Sequence, residues 1–141
     1  MIYILSGSRS LTDKNFIFNI LKQYLTKEDE LIHGGAIGVD TIGGKYCEQN
    51  NIVCEIYRPD YKRYHKKIAP KLRNIIMCDI AEEMIAIWDG NSPGTLHAIE
   101  YMKKIGKKIY LYEYPNKIPL IYPPKKVLDI SKNAKKISLP I

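Results

Sequence analysis

Several function classes need features that this sequence does not have. Its three cysteines, Cys47, Cys54 and Cys78, form no CxxC pair and have no histidine at a ligand spacing. That argues against a disulfide framework or structural zinc and leaves them as core or surface thiols. No apolar run approaches the ~18–20 residues that a bilayer-spanning helix needs. The opening Met1-Ile2-Tyr3-Ile4-Leu5-Ser6 lacks the basic and long apolar regions of a secretory signal. A cytoplasmic protein without a membrane partner is the expectation. Gly34-Gly35-x-x-Gly38 is not the GxGxxG of dinucleotide enzymes, and the strand after it ends Tyr57-Arg58-Pro59 with no ribose-binding acid. Gly44-Lys45-Tyr46 does not complete a P-loop. NAD-dependent dehydrogenation and P-loop nucleotide hydrolysis are therefore disfavoured, and no metal or cofactor is expected.

What remains is an ordinary soluble composition. With 141 residues, 45% hydrophobic and 26% charged, the chain suits one folded domain and is far from the composition of disordered chains. Its net charge of +7 is not spread evenly. Residues 60–76 hold six basic and one acidic side chain, residues 114–141 hold the same numbers, and the rest is slightly acidic. The first cluster comprises Lys62, Arg63, Lys66, Lys67, Lys71 and Arg73. Confined clusters of this kind suit a phosphate-bearing ligand better than a nucleic-acid duplex, which calls for a basic stripe.

The hydrophobic pattern alternates between short runs and helical spacing. Ile2–Ser6, Glu30–His33, Ile52–Tyr57, Met84–Trp88 and Lys108–Tyr112 read as strands. Helices follow from an Asp13 cap, from the Gly34–Gly38 loop to about Gln49, from Lys67 or Pro70 to Asp79, and from Pro93 to a stop at Gly106. The third helix is expected to turn Leu72, Ile75, Ile76 and Ile80 to one side. Strands alternating with helices imply a three-layer α/β fold, an open parallel sheet of about five strands with helices on both faces. The rhythm breaks after residue 113. Five of the eight prolines lie in 114–141, so a domain over 1–113 is expected to carry a Pro- and Lys-rich extension that packs on it, forms an edge element or meets a partner subunit.

Ligands bind such sheets at the carboxyl ends of the strands, where the strand order reverses. The unusual residues follow that rule. Ser6-Gly7-Ser8-Arg9 comes after the first strand, His33-Gly34-Gly35-Ala36-Ile37-Gly38-Val39-Asp40 after the second, and Asp89-Gly90-Asn91-Ser92-Pro93-Gly94-Thr95 after the fourth. Glycines there would let a ligand reach bare backbone N–H groups at helix starts, which suits a phosphate or ribose. Arg73 and Asn74 begin the helix after the basic loop, and Arg is shaped for a bidentate grip on phosphate. Asp40 suits ribose hydroxyls or acid/base work. His33 closes an apolar strand, His97 lies in the first turn of a rim helix, Trp88 is placed to stack on a base or fill the core, and Glu100 lies one turn deeper.

Taken in order, Ser6-Gly7-Ser8-Arg9, Ile32-His33-Gly34-Gly35-Ala36-x-Gly38-Val39-Asp40, Pro70-x-x-Arg73-Asn74-x-x-Met77 and Gly94-Thr95-x-His97-Ala98 resemble the Rossmann-like SLOG superfamily over roughly residues 1–113. The resemblance implies a nucleotide-derived ligand at the rim, with Arg73 and the Gly90–Thr95 loop on phosphate and ribose, and a homodimer or higher homo-oligomer. SLOG relatives divide between lonely-guy phosphoribohydrolases, single-strand-binding DNA-processing proteins, and sensors of cyclic or ADP-ribose-type nucleotides. Lonely-guy enzymes carry PGGxGTxxE, whereas Thr95 here is followed by Leu96-His97-Ala98. The resemblance thus favours a sensor or sequestering module. The alternatives are an N-glycosidase using Arg73 with Asp40 or Glu100, and a single-stranded nucleic-acid binder drawing on the basic segments and eleven tyrosines.

Overall fold

A computed structural model of the chain describes residues 1–124. Four helices alternate with five parallel strands: β1 (Ile2–Gly7), α1 (Lys14–Tyr24), β2 (Glu30–His33), α2 (Val39–Gln49), β3 (Val53–Ile56), α3 (Ala69–Ile80), β4 (Glu83–Trp88), α4 (Pro93–Lys104) and β5 (Lys108–Glu113). A sixth strand, β6 (Leu120–Tyr122), adds antiparallel to β5, with Tyr110 opposite Ile121. The sheet order is β3-β2-β1-β4-β5-β6. The order reverses between β1 and β4, so the chain leaves those two strands toward helices on opposite faces of the sheet. The fold is α/β and Rossmann-like, as the alternating pattern implied. The sixth strand escaped the pattern because three residues between prolines carry almost no periodic signal. Residues 125–141, where most of the expected extension falls, lie outside the described residues.

Helix ends are fixed partly by local signals and, in α3, by a distant side chain. Asp13 caps α1, its Oδ1 accepting from Phe16 N at 3.1 Å. Pro93 opens the first turn of α4, and Gly106, at φ +74°, ends it. The carbonyls at the end of α3 are closed from a distance: Lys107 Nζ donates to the oxygens of Cys78, Asp79 and Ala81 at 2.7–2.8 Å.

The core has two halves, one on each sheet face. α1 and α2 cover Leu5, Leu31, Ile85 and Ile87, whereas α3 and α4 cover Ile4, Ile32, Met84 and Ala86. Ile4 and Leu5 are wholly buried on opposite faces of one strand, which explains why β1 reads as a continuous apolar run. Burying such a side chain stabilises the fold by about 1.5–3 kcal/mol.

The rotation of α3 differs from the expectation. Met77 and Cys78 face the core, while Ile76 and Ile80 stay 51% and 42% exposed. The cause is polar. Arg73 and Asn74 hydrogen-bond toward β2, β3 and α4, and satisfying them turns the helix away from its most aliphatic side.

Candidate functional site

A cavity of about 550 Å³ opens at the carboxyl ends of β1, β2 and β4. Gly7 and Arg9 line it from the β1 side, Gly34, Gly35 and Asp40 from the β2 side, and Ser92, Gly94 and Thr95 from the β4 side. Arg73 and Asn74 of α3 close its wall. Segments far apart in the sequence thus converge where the strand order reverses.

Asp40 is the most informative side chain. It is 6% exposed, in the first turn of α2. Its Oδ2 accepts from Gly34 N and Ala36 N, each at 3.2 Å, while its buried Oδ1 has no hydrogen-bond partner among the described residues. Burial raises its pKa, opposed by the neighbouring His33, by the two N–H donors and by Arg73. An unpaired buried carboxylate oxygen beside a cavity is costly unless something donates to it.

The β2–α2 loop differs from the expected phosphate cradle. Its N–H groups at 34, 35 and 36 are already taken, by Asp40 Oδ2, by His33 Nδ1 at 3.0 Å and again by Asp40 Oδ2. The bare backbone anticipated at residues 34–36 is therefore already used within the chain. The glycines of that loop instead make room for arginines. A Cβ on Gly34 would come within 2.2 Å of Arg73 Nη1, and one on Gly35 within 3.0 Å of Arg58 Nη1. Arg73 Nη1 donates to Gly34 O at 2.7 Å and Tyr57 O at 3.2 Å, and its Nε to Asn74 Oδ1 at 3.1 Å. Burial, together with the charge of Arg9, lowers the Arg73 pKa, while Asp40 opposes the shift.

The β4–α4 loop is organised by Asp89. Its Oδ1 accepts from Asn91 N and Ser92 N, both at 2.8 Å, and its Oδ2 from Ser10 Oγ at 2.7 Å and Ser92 Oγ at 2.9 Å. These donors hold its pKa well below the usual carboxylate range. The backbone N–H of Asp89 in turn donates to Ser8 Oγ at 2.9 Å. The loops after β1 and β4 are therefore latched together. Beyond the latch, Gly94 N and Thr95 N, at the start of α4, have no acceptor among the described residues.

Other residues singled out in the sequence lie beside the cavity rather than on it. Ser8 is fully buried in the latch, and Gly38 starts α2 at φ +81°. Trp88 packs in the α3–α4 half of the core, with Nε1 donating to Ser92 O at 3.1 Å. Gly90 and Asn91 form the outer part of the β4–α4 loop, and neither lines the cavity. His33 is 2% exposed, with its Nε2 against the space beside Gly44. His97 stands behind Asn74, 3.4 Å from its amide, and burial lowers its pKa. Glu100 is exposed on α4, away from the cavity lining. Lys62, Arg63, Lys66 and Lys67 are exposed and do not line the cavity either. Sequence reasoning passed over Arg58 and Tyr61, which do line it. The available signal was that Arg58 follows the end of β3, on the same rim as the glycine loops.

Residues 1–64 match the model of the YAcAr family, the YspA, cpYpsA-related SLOG family. The SLOG resemblance holds. That match supports a role connected with nucleotides or nucleic acids. Among solved structures, DNA processing protein A (DprA) from Streptococcus pneumoniae is similar, with a TM-score of 0.67 over 82% of this chain at 15% identity. This likeness concerns the SLOG-type fold, and the chain spans about half of that protein's length, 52%. No curated protein matches the chain.

Proposed function

We propose that the chain binds a nucleotide-derived small molecule, such as a nucleoside phosphate, a cyclic nucleotide or an ADP-ribose-like signal, at the rim of β1, β2 and β4, as a sensor or sequestering module. The observation that carries this reading is Asp40 Oδ1, buried beside the cavity without a donor. A ribose hydroxyl entering the cavity beside Asp40 is a donor of the right polarity for that carboxylate. Arg73 and the free N–H groups at the start of α4 supply the opposite polarity for phosphate.

A second reading, hydrolysis of the N-glycosidic bond of a nucleoside monophosphate, draws on the same atom. A carboxyl whose pKa is raised by burial is a suitable proton donor to a leaving base. In that reading Asp40 carries the acid/base role and Arg73 holds phosphate. Glu100 has no route to the cavity from its exposed position.

A thermal-shift panel of mono-, di- and cyclic nucleotides and ADP-ribose forms, with mass spectrometry before and after incubation, tests both. A ligand that binds the native state raises the unfolding temperature. Intact ligand in a stabilised sample supports the sensor, and free base appearing with time supports the hydrolase. If no compound shifts the melt and single-stranded oligonucleotides do so at low salt, both readings give way to nucleic-acid binding.

A further inference from the structure

The charges around the cavity say more about its ligand than the family does. Its lining holds three arginines, Arg9, Arg58 and Arg73, and one acid, Asp40. None of the three arginines forms a salt bridge among the described residues, where the ion pairs are Met1–Asp29 and Arg63–Asp60. Asp40 is the one counter-charge in the lining, and it acts on Arg73. Three cations against one acid leave the concave site with an excess of positive charge, which favours an anion of more than one charge.

They come from three separate places along the rim. Arg9 follows β1 and Arg58 follows β3, with β2 and its Gly34–Gly35 turn between them. Strands two apart in a sheet are separated by roughly 10 Å, so Arg9 and Arg58 enter the cavity from different sides of its rim. Arg73 is pinned in the middle, over Gly34, by its bonds to Gly34 O and Tyr57 O. Arg58 is packed against Gly35. The absent Cβ atoms of the two glycines make room for a guanidinium group at each position of the turn. Because the N–H groups of that turn are occupied, the arginines are its means of holding an anion.

We propose that the cavity selects a diphosphate: two linked phosphoryl groups lying along the rim between Arg9, Arg73 and Arg58, with the attached sugar directed to Asp40. This deepens the nucleotide-binding reading and rests on it for the sugar, though not for the diphosphate.

Calorimetric titration with four probes tests it: inorganic phosphate, inorganic pyrophosphate, AMP and ADP. Each additional charge-assisted contact is worth about tenfold or more in affinity, so pyrophosphate is expected to exceed phosphate, and ADP to exceed AMP, by at least about that factor. Arg58→Gln should bring both ratios close to one while leaving AMP bound, and Lys62→Gln, outside the cavity, should leave both ratios unchanged. AMP binding as tightly as ADP, or ratios untouched by Arg58→Gln, overturns the diphosphate and leaves the nucleotide reading standing. Pyrophosphate preferred over phosphate with neither nucleotide bound overturns the nucleotide reading and keeps the diphosphate. If none of the four binds, both fail.

Discussion

The two glycine-rich loops that flank the cavity look alike in sequence and are built for different ends. In the β2–α2 loop every glycine is hemmed in by the chain itself: Gly34 by Arg73, Gly35 by Arg58 and Ile56, Gly38 by the backbone oxygens of Ser8 and Arg9. Its N–H groups at 34–36 are consumed by Asp40 and His33. In the β4–α4 loop a Cβ on Gly90 or Gly94 would meet nothing within 4 Å, and the N–H groups of Gly94 and Thr95 have no acceptor among the described residues. The first loop is a packing device that sets two arginines and a carboxylate in place. The second leaves bare backbone beside the cavity. Glycine content alone therefore does not mark a phosphate cradle; what decides is whether the chain has already used the space and the donors.

The sharpest way to break the first loop is Gly38→Ala. A Cβ there would stand 2.5 Å from Arg9 O, at a φ of +81° that L side chains rarely adopt. A loss of about 2–4 kcal/mol is expected, visible as a lower urea midpoint at unchanged m-value. A loss below about 0.5 kcal/mol would mean that the loop is not packed as described.

Asp40→Asn separates packing from recognition within the same loop. Ligand affinity should fall by about tenfold or more, as a group accepting from the ligand is lost. The stability of the unliganded protein should move the other way. A carboxyl whose folded pKa is raised contributes stability that is fully present below its unfolded value, near ~3.9, and is lost as pH rises through the folded value. The variant escapes that loss. Its melting temperature relative to the parent should therefore rise as pH is raised above about 4, and a difference that stays flat with pH would show that Asp40 is not the titrating group.

In the second loop, Asp89→Ala removes the latch to Ser10 and Ser92. A cost of about 1 kcal/mol is expected, because these bonds are only partly shielded from water, with a larger relative fall in ligand affinity as the start of α4 loses its fixed position. Thermal melts with and without ligand separate the two effects. The smallest effect belongs to Gly94→Ala, which should change stability by less than about 0.5 kcal/mol yet weaken binding several-fold, since the new methyl group would occupy space beside the free N–H groups. If binding is unchanged, the open backbone of this loop faces solvent and not the ligand.

Much of this was legible from one-dimensional pattern. Asp13 announced a cap, Pro93 and Gly106 bracketed α4, and the apolar runs of β1, β2, β4 and β5 stood out because each is buried on both faces. The strand ends from which the cavity is built were legible too, since this architecture collects polar loops there. The rotation of α3 was less accessible. Periodicity favoured its aliphatic side, and two long-range polar anchors, Arg73 and Asn74, overruled it. Arg58 was passed over because its partner is the missing Cβ of a glycine more than twenty positions away.

Composition and spacing by themselves determined the layer architecture, the rim on which polar groups gather and the mismatch with dinucleotide and P-loop motifs, because those follow from local propensity and from rules of strand connection. Which donors stay free, which carboxylate oxygen goes unpaired and which arginines face a common space were decided by tertiary structure alone. Hydrogen bonds and steric contacts between residues such as Gly34 and Arg73, or Ser10 and Asp89, exist once the sheet has brought the strand ends together, and no window of sequence contains both partners.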